Sequence, residues 1–475
     1  KVQPLDSTWW RSLQAMKNPK QRAQAYVQKA AMKNADDMIL YLQGGPGFGA
    51  PTPVAGLGLS SEGSWAGKAL SKFTRVVLMD QRGTGRSSPV TKQSLEKRFP
   101  DLFLLDGKEE EEGEAMSIQS IQDLETEDAS KVKDALVQAT DFLAQFRADN
   151  IVKDAEEIRD ALLLPTNDEQ HPRPYGGCLG QSFGGFCILT YLSQVEHPPR
   201  VCLLTGGIAP MATDAYVLYQ SMWERVKERN LRYYDMYPGD IAVVQRIVKR
   251  LWRQPAPLPS GGILTARRFL QEGLALGGSP SAFASIHSML STAFLDDDDN
   301  DEFTKAFLKK MEYESSFDDH PFYFLLHESI YADGPKFSPT RWAAHRAYED
   351  IIHKTPSEFD YKLTSRLNNN NNSNDDDDVS GPTLFFGEMV FPWMADGDYV
   401  ELSGLGMRLL AHGLANKEDW GSLYDFDRIR AVLTTTRTRA AAAVYVEDMY
   451  VDFDVSLKLT QRGGPLEHCK VWITN

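Results

Sequence analysis

The feature that most limits what this chain can become is the run Gly180-Gln181-Ser182-Phe183-Gly184, with Gly185 directly behind it. An apolar approach precedes the run, and a helix-compatible stretch, FCILTYLSQV, follows. A serine flanked by small residues at a strand-to-helix junction can sit on a strained turn that pushes its hydroxyl out of the backbone. The plain alternative is a glycine-rich turn that only packs, since a pattern fixed at three positions arises easily by chance. The strand, turn and helix context favours Ser182 as a nucleophile.

Two earlier apolar runs end in glycine turns. Asp37 to Gln43 (DMILYLQ) leads into Gly44-Gly45-Pro46-Gly47, and Thr74 to Asp80 (TRVVLMD) leads into Gln81-Arg82-Gly83. Both read as buried parallel strands. Ala129 to Leu164 carries apolar residues at mixed three and four spacing and reads as a pair of helices. The strand before Ser182, a helix from Phe183 to about Val195 and the run Val201 to Thr205 continue the alternation. Strand patterning stops near Gly206, gives way to helical, aromatic-rich sequence, and returns at Ala440 to Val446 and Cys469 to Thr474. Alternating strands and helices predict a mostly parallel sheet covered on both faces. The expected architecture is therefore an α/β-hydrolase core over residues 1–205 and 431–475, interrupted by an inserted, mainly helical cap over residues 206–430. Glu109 to Glu112, Asp296 to Asp299 and the Asn/Asp tract Asn368 to Asp378 are expected to be solvated, disordered loops, because such runs cannot bury apolar surface.

With 475 residues, 42% of them hydrophobic, the chain can bury a large core in about two or three units. Its 66 acidic against 51 basic residues, a formal charge of −15, argue against a nucleic-acid partner and suit small or cationic substrates. Cys178, Cys187, Cys202 and Cys469 form no metal-ligand spacing and no disulfide framework. No metal and no cofactor are expected, and a reducing, cytoplasmic compartment is the default. No apolar run reaches the length of a membrane span, so no membrane partner is expected either. The chain starts at Lys1, so a processed or incomplete N-terminus stays open.

Attack on a carbonyl creates an oxyanion, which needs backbone N–H donors held ready for it. The expected donors are the amide of Phe183 and an amide of the GGPG loop, Gly45, with Pro46 stiffening that loop. The serine needs a base, and the base a carboxylate, in the order serine, acid, histidine. Four acids follow the penultimate strand: Glu447, Asp448, Asp452 and Asp454. Asp448 stands at the strand end and ranks first, Asp452 second. The histidine should follow the last strand, yet that strand runs to Thr474 and the sequence given stops at Asn475. His468 precedes the strand, and His171, His197, His287, His320, His327, His345, His353 and His412 all precede Asp448. Either a cap histidine serves by an unusual route or the base lies beyond Asn475, and the second is favoured.

LQGGPGFGAP (Leu42 to Pro51), DQRGTGRSS (Asp80 to Ser88) and GQSFGGF (Gly180 to Phe186) together resemble the proline iminopeptidases, prolyl aminopeptidases of the α/β-hydrolase class. HESIYADG (His327 to Gly334), RWAA (Arg341 to Ala344), GEMVFPWM (Gly387 to Met394) and AAAVYVEDMYVDFDVSL (Ala441 to Leu457) are similar to the longer branch of that family. The resemblance implies release of N-terminal proline from peptides, with Ser182 as nucleophile and Asp448 as its acid. It also implies that Glu328 and Glu388 hold the substrate's free amine, while Phe391, Trp393 and Tyr331 wall the proline ring. Two departures stand out: Lys1 to Asn34 reads as polar and helical, and Gln43 stands where many relatives have histidine. Those acids could instead cap helices or pair with arginines such as Arg341. Asp80 and Arg82 are expected to lock the loop beside the GGPG turn.

Two other functions stay open at this level. An esterase or lipase would use the same serine without amine-binding carboxylates. A non-catalytic hydrolase-fold protein that binds a ligand or partner would need no base at all. The oligomeric state is not legible in the sequence.

Overall fold

The computed structural model describes residues 37–53, 61, 63–107, 126–163, 173–279, 281–295, 301–313, 316–354, 357–366 and 381–475, with positions 15, 18, 20 and 21. The three acidic or Asn-rich tracts, and almost all of Lys1 to Asn34, lie outside these residues.

Eight strands are described: β1 (Met38–Leu42), β2 (Arg75–Leu78), β3 (Gly177–Gln181), β4 (Val201–Thr205), β5 (Ala256–Pro257), β6 (Ile263–Leu264), β7 (Arg439–Tyr445) and β8 (Lys470–Thr474). Six of them form one parallel sheet in the order β2-β1-β3-β4-β7-β8, and β5 and β6 make a separate antiparallel pair. Every residue of β1 is buried, as an all-apolar MILYL strand flanked on both sides in a covered sheet should be, whereas β2, also expected to be buried, is an edge strand and each of its residues is only partly buried. The expected mostly parallel sheet and α/β-hydrolase-type order are thus present. Sheet edge β8 is different, leaving Trp472 at 68% exposure and Ile473 half exposed.

The helices α1 (Glu127–Ala144) and α2 (Ala148–Leu162) realise the expected pair. Thr126 starts α1 by accepting from the Ala129 amide, with Glu127 and Asp128 placed at the positive end of the helix dipole. α3 (Phe183–Gln194) packs on α2, β3 and β4 and is buried on all sides except at Gln194. Such a helix has no solvent face to orient it, so its position is fixed by the sheet.

Beyond β4, α4 (Ala215–Met236) packs against α6 (Ala343–Lys354), and α5 (Pro321–Leu326) lies between them in sequence. Trp223 of α4 meets Tyr348, Phe359, Phe386 and Phe391 at ring centroid distances of 4.7 to 6.4 Å, the aromatic centre of this helical part. α7 (Phe426–Thr435) then packs on α3, and α8 (Phe453–Thr460) follows β7.

Candidate active site

β3, β4 and β7 run side by side, pairing Gln181 with Thr205 and Thr205 with Ala443, so their carboxyl ends lie at one level. Ser182 follows β3 there with φ 50° and ψ −122°, a backbone conformation costly for any residue with a side chain. It occupies the cap position of α3 without using its side chain as a cap; its carbonyl takes the Gly185 amide at 2.7 Å, while among the described residues the Phe183 amide has no hydrogen-bond acceptor. An open helix start beside a serine hydroxyl is a ready anion site. The strain is held by close backbone packing on several sides. A Cβ on Gly207 would lie 2.5 Å from the Ser182 carbonyl oxygen. One on Gly184 would enter the Leu42 carbonyl, and one on Gly180 the Gly184 carbonyl. The Ser182 amide donates to Thr205 O at 3.0 Å, tying the turn to β4.

The GGPG loop lies against this turn. A Cβ on Gly44 would stand 3.1 Å from the Ser182 Cβ, and Gly45 has φ 124°. Asp80 holds the far side of the loop, accepting from the Ala50 amide at 2.8 Å and from the Arg86 amide at 2.9 Å. Arg82 locks elsewhere: its guanidinium takes both oxygens of Asp154 on α2, at 2.6 and 2.7 Å.

The four acids after β7 separate cleanly. Glu447 pairs with Arg229 and Arg232, and Asp454 with Arg225. Asp452 caps α8 through the Val455 amide and accepts from the Ser221 hydroxyl. Asp448 commits one oxygen to the amides of Tyr450 and Val451, at 2.8 and 3.0 Å. Its other oxygen would be 3.4 Å from a Cβ on Gly206, the residue that follows β4. Burial pushes the Asp448 carboxyl up to about 6, against the pull of its two amides.

Among the described residues Asp448 receives no histidine. His287 pairs with Asp240, His353 with Glu349, and His468 with Glu467. His412 sits beside the Trp342 indole, His345 edge-on to Phe391, and His320 packs on Phe48 with centroids 4.2 Å apart. His327 is 1% exposed, its ring lies against the Glu388 backbone without a well-formed hydrogen bond at either nitrogen, and burial lowers it to about 4. β8 pairs Thr474 with Tyr445, so the strand ends level with the turn that carries Asp448.

The helical part supplies the other wall. Glu388 is half-buried; the Tyr323 hydroxyl donates to one of its oxygens, and among the described residues the other has no hydrogen bond. Burial pushes Glu388 up to about 8, the Tyr323 hydrogen bond pulls it back, and the one charge it feels strongly is the negative Asp448. No arginine or lysine neutralises it among the described residues. Its segment is pinned from both sides. Asn230 of α4 accepts from the Phe385 amide and donates to the Phe385 carbonyl, and the Gln271 side chain donates to Met389 O. Glu328, 5% exposed, instead accepts from the Ala343 and Ala344 amides at the start of α6, both at 2.9 Å. Burial raises its carboxyl while these bonds and Thr340 lower it.

Tyr331 stands edge-on to Tyr219, 6.1 Å from Phe186 of α3, and feels the charges of Glu388, Glu328 and Asp448. Phe391 lies deeper, in the Trp223 cluster, with Trp393 stacked on it at 5.3 Å and Arg267 over Trp393. The structure therefore gathers Ser182, Gly45, Phe183, Asp448, Glu388 and Tyr331 around the strand ends. It sets Phe391 and Trp393 in the aromatic centre of the helical part. Sequence reasoning missed Tyr323, Asn230, Gln271 and Gly207. The first three act across long sequence separations, and only the aromatic density around Tyr323 hinted at a pocket.

No protein-family profile matches the chain. Among characterised proteins it is similar to a proline iminopeptidase of Aeromonas sobria, with 35% identity over 437 residues, 92% of this chain and 82% of the relative. It is also similar to the proline iminopeptidase aneH of Aspergillus aculeatus, with 30% identity over 420 residues, 88% of this chain and 76% of the relative.

Proposed function

The chain belongs to the proline iminopeptidase family, and on that premise we propose that it releases N-terminal proline from peptides through a prolyl-enzyme ester on Ser182. The observation that carries the reading is the pairing of an elbow serine with Glu388, a half-buried carboxylate that has no cationic partner among the described residues. An internal peptide bond offers nothing for such a carboxylate. A free N-terminal ammonium offers the missing charge.

In this reading Ser182 Oγ attacks the carbonyl carbon of the first residue while an imidazole takes its proton. The Phe183 and Gly45 amides receive the oxyanion, the peptide nitrogen leaves with the proton, and water then cleaves the ester. Asp448 orients that imidazole through its second oxygen. The imidazole is the one member of the relay that the described residues do not supply. Glu388 is proposed to meet the ammonium directly, with Glu328 as a second, fixed negative charge. Tyr331 would face the proline ring, backed by Phe391 and Trp393. The helical residues 206–430 would serve as the cap that closes this pocket over the core.

No helix among the described residues is long and apolar enough to cross a membrane. The four cysteines are free and buried, which supports a reducing, cytoplasm-like setting as part of the same proposal.

The test is the rate on proline β-naphthylamide against its N-acetylated form and a neutral ester. The free amide should be preferred by about 100-fold, the worth of a charge-assisted contact. With the imidazole in place, Ser182→Ala should lower kcat by about 10⁶-fold. Equal rates on free and blocked amides would sink the aminopeptidase reading, and undiminished turnover in Ser182→Ala would sink the mechanism.

A further inference from the structure

Tyr323 touches three different parts of the site. Its hydroxyl donates to Glu388, its ring lies 5.5 Å from Phe48 behind the GGPG turn, and its backbone amide abuts Gly47, where a Cβ would stand only 2.9 Å away. The ring is clamped by Phe317 at 5.5 Å and by His327 at 4.9 Å, and the side chain is 3% exposed. A hydroxyl held this firmly has one direction in which to donate. The carboxylate it meets has no other hydrogen-bond donor among the described residues, so this bond alone sets where the open oxygen of Glu388 points.

We infer that Tyr323 is a positioning residue that aims the Glu388 carboxylate at the secondary ammonium of an N-terminal proline. The inference rests on the proposal that Glu388 meets that ammonium. It goes further in assigning selectivity for a free amine to a residue that touches neither the reacting carbonyl nor the amine.

The groups facing Glu388 support the assignment. Tyr323 and His327 approach from α5 and its end, Tyr331 from the turn that follows, Tyr219 from α4, and Asp448 and Tyr450 from the β7 end. His327 is pushed down to about 4 by burial and so is neutral near pH 7, and among the described residues no cation pairs with Glu388 to compete with the ligand. Burial and Asp448 both favour the protonated acid, and the Tyr323 hydroxyl opposes them. Without that hydroxyl Glu388 would hold its proton to higher pH and lose the charge that attracts an ammonium.

Equilibrium binding tests this without requiring turnover. Calorimetric titration of the full chain with L-prolinamide and with N-acetyl-L-prolinamide, between pH 6 and 9, should show affinity for the free amine rising through about pH 8. In Tyr323→Phe, affinity for prolinamide at pH 8 should fall about tenfold, one hydrogen bond to a charged group. Affinity for the acetylated ligand should stay within about twofold, and the rise with pH should move upward. An equal loss for both ligands, or an unmoved pH dependence, overturns the inference. Glu388→Gln separates the two layers. If it keeps the preference for the free amine, the reading of Glu388 fails; if it abolishes the preference and Tyr323→Phe leaves the preference unchanged, only the role of Tyr323 fails.

Discussion

The turn at Ser182 and the pocket around Glu388 lie at one end of the sheet but are built by opposite means. The turn is backbone packed on backbone: Gly180, Gly184 and Gly207 each occupy a place where a single methyl group would strike a carbonyl. The pocket is side chain on side chain, with Tyr323, Asn230 and Gln271 reaching across 65, 155 and 118 positions to fix one carboxylate segment. A construction of the first kind tolerates almost no substitution and leaves a local signature in sequence. One of the second kind can be rebuilt with other residues and leaves none.

The contrast can be broken first at Asp448. If its free oxygen orients the base, Asp448→Asn should lower kcat/KM by about 10⁴-fold, because the wrong imidazole tautomer is then held. Asp452→Asn, which keeps the α8 cap, should stay within a few fold in the same assay. Comparable losses in the two variants would mean that the acid has been misplaced.

Next in size is the turn itself. Gly207→Ala forces a methyl to 2.5 Å from the Ser182 carbonyl oxygen and should cost about 3 kcal/mol of stability. Urea unfolding measures this, and a change under 0.5 kcal/mol would show that the turn is not rigidly packed. Glu328→Gln should cost less, about 1 to 2 kcal/mol, as one of two amides at the start of α6 loses its acceptor.

The smallest expected effect is a slope. Glu388 is raised from the usual 4.5 to about 8, so the folded chain holds a proton that the unfolded chain releases between those values. Its contribution to stability is fullest below about pH 4.5 and is lost as pH rises through about 8. Asp448, raised to about 6, acts in the same direction over a lower range. In Glu388→Gln the fall in urea midpoint between pH 6 and 8 should therefore flatten. An unchanged slope would place that carboxylate in a wetter setting than the one described.

Much of the core was legible because buried parallel strands are short apolar runs that end in glycine. Val201 to Thr205 matches its strand at both ends, and Ala440 to Val446 is displaced by one residue from Arg439–Tyr445. The place of Asp448 in the turn after that strand was legible too. What sequence could not supply was the partner of each acid. Glu328 and Glu388 are alike as letters, yet one lies where two helix amides converge and the other where only a tyrosine arrives. Asp80 does brace the GGPG loop as its position suggested, whereas Arg82 reaches Asp154, a partner 72 positions away that no local pattern announces.

Gly47 joins the two kinds of construction. It touches the Tyr323 backbone where the loop that carries Gly45 meets α5, so in the proposed reading it would act as the spacer between the reacting carbonyl and the seat of the amine. On that reading the length of substrate that fits between them would be metered by a residue with no side chain. A shift in which peptides this chain accepts could therefore arise from a change of gap alone, with every group that does chemistry left as it is.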